Sequence, residues 1–237
     1  MTLVSHDHRF IFLETRKTAG TSVEMYLQPF CTPPGTPVEE WGEAIVSKHG
    51  IVGQRLGKKG REAPPPPGVE RNVWFSHQDC EDLRSKLPAD VWKTYEKITV
   101  VRNPFAKVLS GYFWRNRKVK LPEDPEENIA RFRKTLTTGN RITDDHEIVF
   151  ARNKLRFPVF QPTIVLRMEN LRNDLETLAE RLGLDRSRTE LPVTKSSGRA
   201  PGVIPMCDWY DTETANIVRD RLDWMFTAGG YPREVPE

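Results

Sequence analysis

The chain has 237 residues, enough for one large domain, and 37% of them are hydrophobic, with 11 Phe, 6 Trp and 5 Tyr available to anchor a core. Fifteen glycines and 19 prolines are too few for a fibrous or disordered chain. A net charge of +3, from 36 basic and 33 acidic residues, excludes an acidic solvating protein and a histone-like tail and suits anionic ligands. No apolar run approaches the ~20 residues of a membrane helix. Residues 1–9 lack the apolar stretch of a secretory signal. Cys31, Cys80 and Cys207 are odd in number and far apart, which fits neither a disulfide framework nor zinc spacing. A reduced, cytoplasmic protein without a transmembrane segment is the expectation.

In chain order, Arg9 to Glu14 is a compact apolar run that reads as a buried strand, and Thr21 to Leu27 as a short helix. From about 29 to 71 the chain turns polar and proline-rich, with four consecutive prolines at 64–67, and reads as a surface insertion in a single domain spanning 1–237. Val73 to Phe75 restarts a strand, after which Asp79 caps a helix to about Leu87. Ile98 to Val101 is a third strand. Pro104 opens a helix whose Phe105, Val108, Leu109, Tyr112 and Phe113 share one face. Thr163 to Met168 is a fourth strand, followed by a helix capped by Asn170 and stopped by Gly183. A last helix begins near Asp211 and buries Ala215, Val218, Leu222 and Met225. Strands alternating with helices predict an α/β fold with a mainly parallel sheet, whose ligands sit beyond the carboxyl ends of the strands.

Two strand ends carry chemistry. After the first strand, Glu14 to Ser22 is a small-residue loop entering a helix, and such a loop offers unpaired amides and a positive dipole end to an anion. Lys17 adds a charge there, and Thr18, Thr21 and Ser22 add hydroxyls. The loop follows the logic of a Walker A motif but lacks its first glycine and has its lysine ahead of Gly20. The bland alternative is a helix cap beside an exposed lysine. The third strand runs into Arg102-Asn-Pro104, with Ser110 two turns along the next helix. Arg102 can grip a phosphate there, or the segment is an ordinary strand-to-helix turn.

Taken together, the sequence resembles the sulfotransferases that use 3′-phosphoadenosine-5′-phosphosulfate (PAPS), in particular the branch of carbohydrate 2-O-sulfotransferases and their bacterial relatives. The resemblance rests on Arg16-Lys-Thr-Ala-Gly-Thr-Ser22 as the 5′-phosphosulfate loop and on residues 100–112, from Val100 through Arg102 and Ser110 to Tyr112, as the 3′-phosphate motif, about 85 residues later. It extends to Phe75-Ser-His-Gln78 and to Lys195-Ser-Ser-Gly-Arg199, so it covers nearly the whole chain outside the proline-rich stretch. Lys107 departs from the pattern, where arginine is commoner. The resemblance implies a P-loop NTPase-like three-layer fold and an in-line displacement in which an acceptor hydroxyl attacks the sulfur of PAPS. The donor would be held by Arg16, Lys17, Thr18, Ala19, Gly20, Thr21, Ser22, Arg102, Ser110, Lys195, Ser196 and Ser197, with Lys17 catalytic as well. No carboxylate pair near these motifs reads as a magnesium site, and no metal is expected. A P-loop small-molecule kinase and a non-catalytic nucleotide-binding module are the alternatives.

His77 matches the family's general-base position, and histidine is the commonest side chain for that task. Its rival is His49, flanked by Gly50 and Gly53, which reads either as an acceptor contact or as a loop histidine. His6 and His8 read as surface residues. His146, among Asp144, Asp145 and Glu147, reads as a solvated turn. Residues 195–199 are either a linker or a loop that closes over the nucleotide. Trp114 with Arg115 and Arg117 is either a solvated helix end or a contact for a glycan acceptor bearing acidic groups. Nothing reads as a nucleic-acid platform.

Overall fold

In the computed structural model, which describes residues 1–57, 60, 62–68, 70–139, 141–192 and 204–237, the apolar run after Arg9 is a strand as expected, but it is the second one. β1 (Leu3–Ser5) precedes β2 (Phe10–Leu13) and pairs antiparallel with it, Leu3 opposite Phe12 and Ser5 opposite Phe10. Every residue of both strands is buried. The chain forms two compact units, 1–100 with 145–194 and 101–144 with 195–237.

The first unit holds β3 (Ile45–Ser47), β4 (Gly50–Val52) and β5 (Glu96–Val101), at whose last residue the chain passes into the second unit. It also holds a small antiparallel hairpin of β6 (Phe150–Arg152) and β7 (Pro158–Phe160), and finally β8 (Ile164–Arg167). The main sheet runs β3-β4-β1-β2-β5-β8. It is mixed rather than mainly parallel: β2 and β5 are parallel, with Leu13 opposite Thr99, whereas β1 is antiparallel to β2 and to β4, and β3 to β4. The reason is connection length. Four residues join β1 to β2 and two join β3 to β4, and a parallel crossover needs a dozen or more.

Helices α1 (Gly20–Leu27), α2 (Cys80–Lys86) and α3 (Ala89–Thr94) belong to this unit, as do α6 (His146–Val149) and α7 (Leu171–Leu182). Leu3, Phe10, Phe12, Ile98, Val100 and Leu166 of the sheet share one core with Val23 and Leu27 of α1 and Leu175 and Leu178 of α7. On the other face, Lys97 Nζ lies 4.9 Å from the ring centre of Trp92 in α3. Asp79 caps α2 as expected, its side chain accepting from the Asp82 amide, and Gly183 ends α7 in the left-handed conformation.

Two expectations need correction. The stretch 29–71 is more than a surface insertion. It supplies β3 and β4, and it buries Phe30, Cys31, Ile51, Val52 and Arg55. Val73–Phe75 is not a strand. Only Phe75 bridges to Gln54, because the Gln78 side chain takes over as ladder partner, donating to Val73 O at 2.9 Å and accepting from Phe75 N at 3.3 Å.

The second unit is helical: α4 (Pro104–Arg115), α5 (Pro125–Thr138), α8 (Met206–Trp209), α9 (Thr212–Arg221) and α10 (Asp223–Gly229). Asn103 caps α4 by accepting from Phe105 N and Ala106 N, and Asp211 forms a capping box with Thr214. The single last helix expected from Asp211 is broken at Leu222, yet Ala215, Val218, Leu222 and Met225 are buried as expected. Edge-to-face contacts join Phe105, Tyr112, Phe132, Trp209, Tyr210 and Phe226 into the core of this unit.

Candidate active site

The loop after β2 is built under backbone strain. Lys17 and Ala19 hold φ of 66° and 65°, in the left-handed region that side chains disfavour. Internal bonds impose this shape. Thr15 Oγ1 donates to Val100 O at 2.5 Å, and Thr18 Oγ1 donates to Thr15 O at 3.0 Å. Thr18 was expected to face an anion, but its hydroxyl is fully buried and serves the loop itself. Gly20 is required by close approach, since a Cβ there would stand 2.8 Å from Glu14 Cγ and 3.2 Å from Thr15 O. α1 then starts without a side-chain cap, which leaves its first turn suited to an anion.

Arg16 is pinned from a distant segment. Asp145, with no exposed surface, accepts from Arg16 N at 2.9 Å and from Arg16 Nη1 at 2.7 Å, while Glu147 accepts from Nη1 at 3.0 Å. Burial pulls the guanidinium down, but Asp145 and Glu147 outweigh it and hold Arg16 above its ordinary value. Asp145 itself sits at φ 56°. The acidic run 144–147 read as a solvated turn. Its Asp145 is instead the anchor of the anion loop, and His146 stacks on Phe150 with ring centres 4.0 Å apart and planes 4° from parallel. Carboxylates therefore do stand beside the loop, each engaged by Arg16.

Behind the loop lies a buried ionic cluster. Arg55 Nη2 donates to Glu14 Oε1 at 2.7 Å and pairs with Glu24 Oε2 at 2.5 Å, and the Met1 ammonium bonds both carboxylates. Glu14 is pulled down to about 2: burial opposes this, and the Met1 ammonium, His77 and Arg55 outweigh it. Glu24 shifts up, through burial first and then the neighbouring Glu14 charge.

His77 closes this cluster. Its Nδ1 lies 2.9 Å from Glu14 O and 3.5 Å from Glu14 Oε2. A carbonyl can only accept, so Nδ1 carries the proton, and in the neutral ring Nε2 holds the lone pair. Burial lowers the His77 pKa below 6.5, with Arg16 acting in the same direction, against the opposing pull of Glu14. The ring keeps 29% of its surface exposed, and its backbone is at φ 56°. Among the described residues seven non-glycine positions have positive φ, and Lys17, Ala19, His77 and Asp145 are four of them. Strain of this kind concentrates where function over-determines the backbone.

His49 stands elsewhere. It follows β3, its Nδ1 bonds Asp7 Oδ2 at 2.6 Å, and the adjoining Gly50 pairs with Ser5. Ser5 in turn faces Phe10, so His49 lies at the opposite end of β2 from the loop. Arg102 and Ser110, both half-buried, belong to the second unit. Lys107 there is buried and donates to Thr143 O at 2.6 Å. Arg117 covers the exposed Trp114, its guanidinium 4.0 Å from the ring centre, and Arg115 is exposed beside it. Lys195, Ser196 and Ser197 lie outside the described residues. Sequence reasoning missed Asp145, Glu14 and Arg55. Only Glu14, at the end of the first strand, carried any local signal.

The family model described as "Sulfotransferase family" matches residues 1–199, and the chain belongs to that family. It is therefore a transferase of sulfuryl groups to a hydroxyl-bearing acceptor. Searches of curated proteins and of solved structures each returned no match. Among the described residues no helix is long and apolar enough to cross a membrane, and the thiols of Cys31, Cys80 and Cys207 are all free.

Proposed function

We propose that the donor is PAPS and that the acceptor is a hydroxyl on a carbohydrate or glycoconjugate, on a layered framework of the P-loop NTPase kind. The observation that carries the reading is the His77 imidazole, whose Nδ1–H is committed to Glu14 O in the same unit as the strained loop. That bond fixes the tautomer and leaves Nε2 to take the acceptor's proton. The acceptor oxygen then bonds to sulfur as the bond from sulfur to the bridging phosphate oxygen breaks, and adenosine 3′,5′-bisphosphate leaves with the electron pair. A base of this kind contributes about 10²–10⁴-fold. Burial lowers the His77 pKa, which favours the neutral, proton-accepting form that a base needs.

In this reading the amides of the loop and the first turn of α1 take the 5′-phosphosulfate, and Lys17 faces the charge that builds on the bridging oxygen. Arg102 and Ser110 take the 3′-phosphate, and the resemblance adds Lys195, Ser196 and Ser197 as donors to it. Trp114, Arg115 and Arg117 offer one surface to the acceptor. Calorimetry with adenosine 3′,5′-bisphosphate, ATP and ADP, each with and without Mg²⁺, tests the reading. The bisphosphate should bind tightest, with no dependence on Mg²⁺. Preferential, Mg²⁺-dependent binding of ATP would replace it with a kinase.

A further inference from the structure

Among the described residues, the most exposed large apolar side chain is Leu155, at 76%, and it stands at the tip of the β6–β7 hairpin with Phe157 at 63% and Val159 at 41%. Strand alternation sorts the faces. Phe160 packs on Phe150, ring centres 5.3 Å apart, so Val159 and, two residues earlier, Phe157 take the opposite face. A single exposed leucine is ordinary on a protein surface, whereas three apolar side chains on one protrusion mark a contact surface.

The tip is stiff and its charge is one-sided. Asn153 Oδ1 accepts from Leu155 N at 2.9 Å and from Phe157 N at 3.0 Å, while Asn153 N donates to Phe157 O and Arg156 N to Asn153 O, both at 2.9 Å. The base is fixed to α2, where Arg84 donates to Arg152 O at 2.7 Å and Glu81 accepts from the Arg152 amide. Glu81 is also paired with Arg84, at 2.5 Å. Residues 150–161 hold Arg152, Lys154 and Arg156 and no acidic residue, so this one hairpin carries +3, as much as the net charge of the whole chain. All three cations are exposed and have no carboxylate partner among the described residues.

We propose that the β6–β7 hairpin docks the protein onto an anionic lipid bilayer, with Leu155 and Phe157 entering the boundary between headgroups and acyl chains and Arg152, Lys154 and Arg156 meeting the lipid phosphates and carboxylates. The interleaving of the two chemistries selects this partner. A bilayer surface offers apolar depth beneath negative charge within a few ångströms, and cations alternating with large apolar side chains match both layers. A stable protein interface draws about 800 Å² from each side, more than a hairpin tip supplies. Because the turn is braced before contact, little freedom is lost on docking. β6 follows α6 without a break, and Glu147 of α6 holds Arg16 of the anion loop, so docking through the hairpin holds that loop's own unit at the membrane surface. The inference is independent of the donor and acceptor proposed above.

The test is flotation of the full chain with vesicles of phosphatidylcholine alone or with about one-third phosphatidylserine, at about 0.1 M and about 1 M salt, which shortens the screening length from about 10 to about 3 Å. At the lower salt, wild type should bind the anionic vesicles at least about tenfold more tightly than the neutral ones, since each cation near a charged leaflet counts for about fivefold. Lys154→Gln with Arg156→Gln should lose about 25-fold on the same scale. Leu155→Ser with Phe157→Ser should lose about tenfold or more, and what binding remains should vanish at high salt. Both pairs replace exposed side chains, so Tm should hold. Leu155→Trp adds a direct reading and serves if either pair folds poorly: on anionic vesicles its fluorescence should be quenched by acyl-brominated lipid beyond the wild-type level. Absence of wild-type binding to the anionic vesicles, undiminished binding by either pair, or no added quenching in Leu155→Trp overturns the proposal. Self-association that the serine pair abolishes, without vesicle binding, assigns the tip to a second copy of the chain and overturns it too. Calorimetry with the bisphosphate is read separately, so loss of vesicle binding leaves the sulfuryl-transfer reading standing.

Discussion

Asp145→Asn tests whether the anion loop is held from outside. The substitution keeps size and shape, and asparagine tolerates a φ of 56° as well as aspartate does, so no backbone strain is added. What changes is the acceptor count. Aspartate accepts from Arg16 N at 2.9 Å and from Arg16 Nη1 at 2.7 Å. An asparagine carbonyl can serve one of these donors, and its NH₂ then faces the other. The guanidinium bond counts for less, because the Arg16 side chain keeps 34% of its surface and retains Glu147. The amide bond, made to a carboxylate with no exposed surface, counts for more. Together the loss is about 1.5–3 kcal/mol, or about 10–140-fold at 1.4 kcal/mol per decade. A ligand that must re-form the loop bears that factor as weaker binding. Calorimetry with adenosine 3′,5′-bisphosphate, alongside a thermal melt, reads it out. Affinity within twofold of wild type and an unchanged Tm would refute the role given to Asp145.

Four further outcomes follow from the same geometry. His77→Ala should lower turnover by about 10²-fold or more while bisphosphate affinity holds. In wild type, kcat/KM should fall on the acid side with an apparent pKa below 6.5, since His77 is depressed. Because the unfolded chain takes up that proton first, His77 adds stability above pH 6.5 that is lost as pH falls towards its folded value, and an acid limb centred above 6.5 would contradict this. Lys17→Ala should cut kcat by about 10²–10³-fold, whereas Arg102→Ala should mainly weaken bisphosphate binding, by about 10–140-fold; equal effects of both variants on both parameters would end that division. Ala19→Gly should relieve about 1–2 kcal/mol of left-handed strain against about 0.5–1 kcal/mol of added chain entropy, a net gain of up to about 1.5 kcal/mol that raises Tm by up to about 6 °C, and a lower Tm would show that the strain is absent.

What was legible in the sequence was whatever local chemistry dictates. Pro104 behind Asn103 announced α4, Gly183 the end of α7, and the small residues around Gly20 the loop. The rest depends on partners far along the chain. Leu3–Ser5 is too short to show a period, and it is a strand because β2 and β4 flank it. Asp145 looks solvated in its acidic run and is buried because Arg16, 129 positions away, bonds it twice. Arg55 sits in a polar stretch and is buried because Glu14 and Glu24 face it. The sheet was expected to be mainly parallel because alternating elements carry no sign of a hairpin as tight as Ser5–Phe10.

The position of Arg55 bears on how this family can be recombined. A stretch rich in proline and glycine invites treatment as a cassette, to be exchanged between relatives in search of new acceptors. Replacing 29–71 wholesale would remove β3 and β4 from the sheet and take away the side-chain cation that sits between Glu14 and Glu24. The two buried carboxylates would then share the Met1 ammonium alone, and the Glu14 backbone from which His77 hangs would lose a side-chain anchor. Chimeras that carry over residues 42–56 of this chain should retain a working base, whereas those that import the whole stretch should first fail at the histidine.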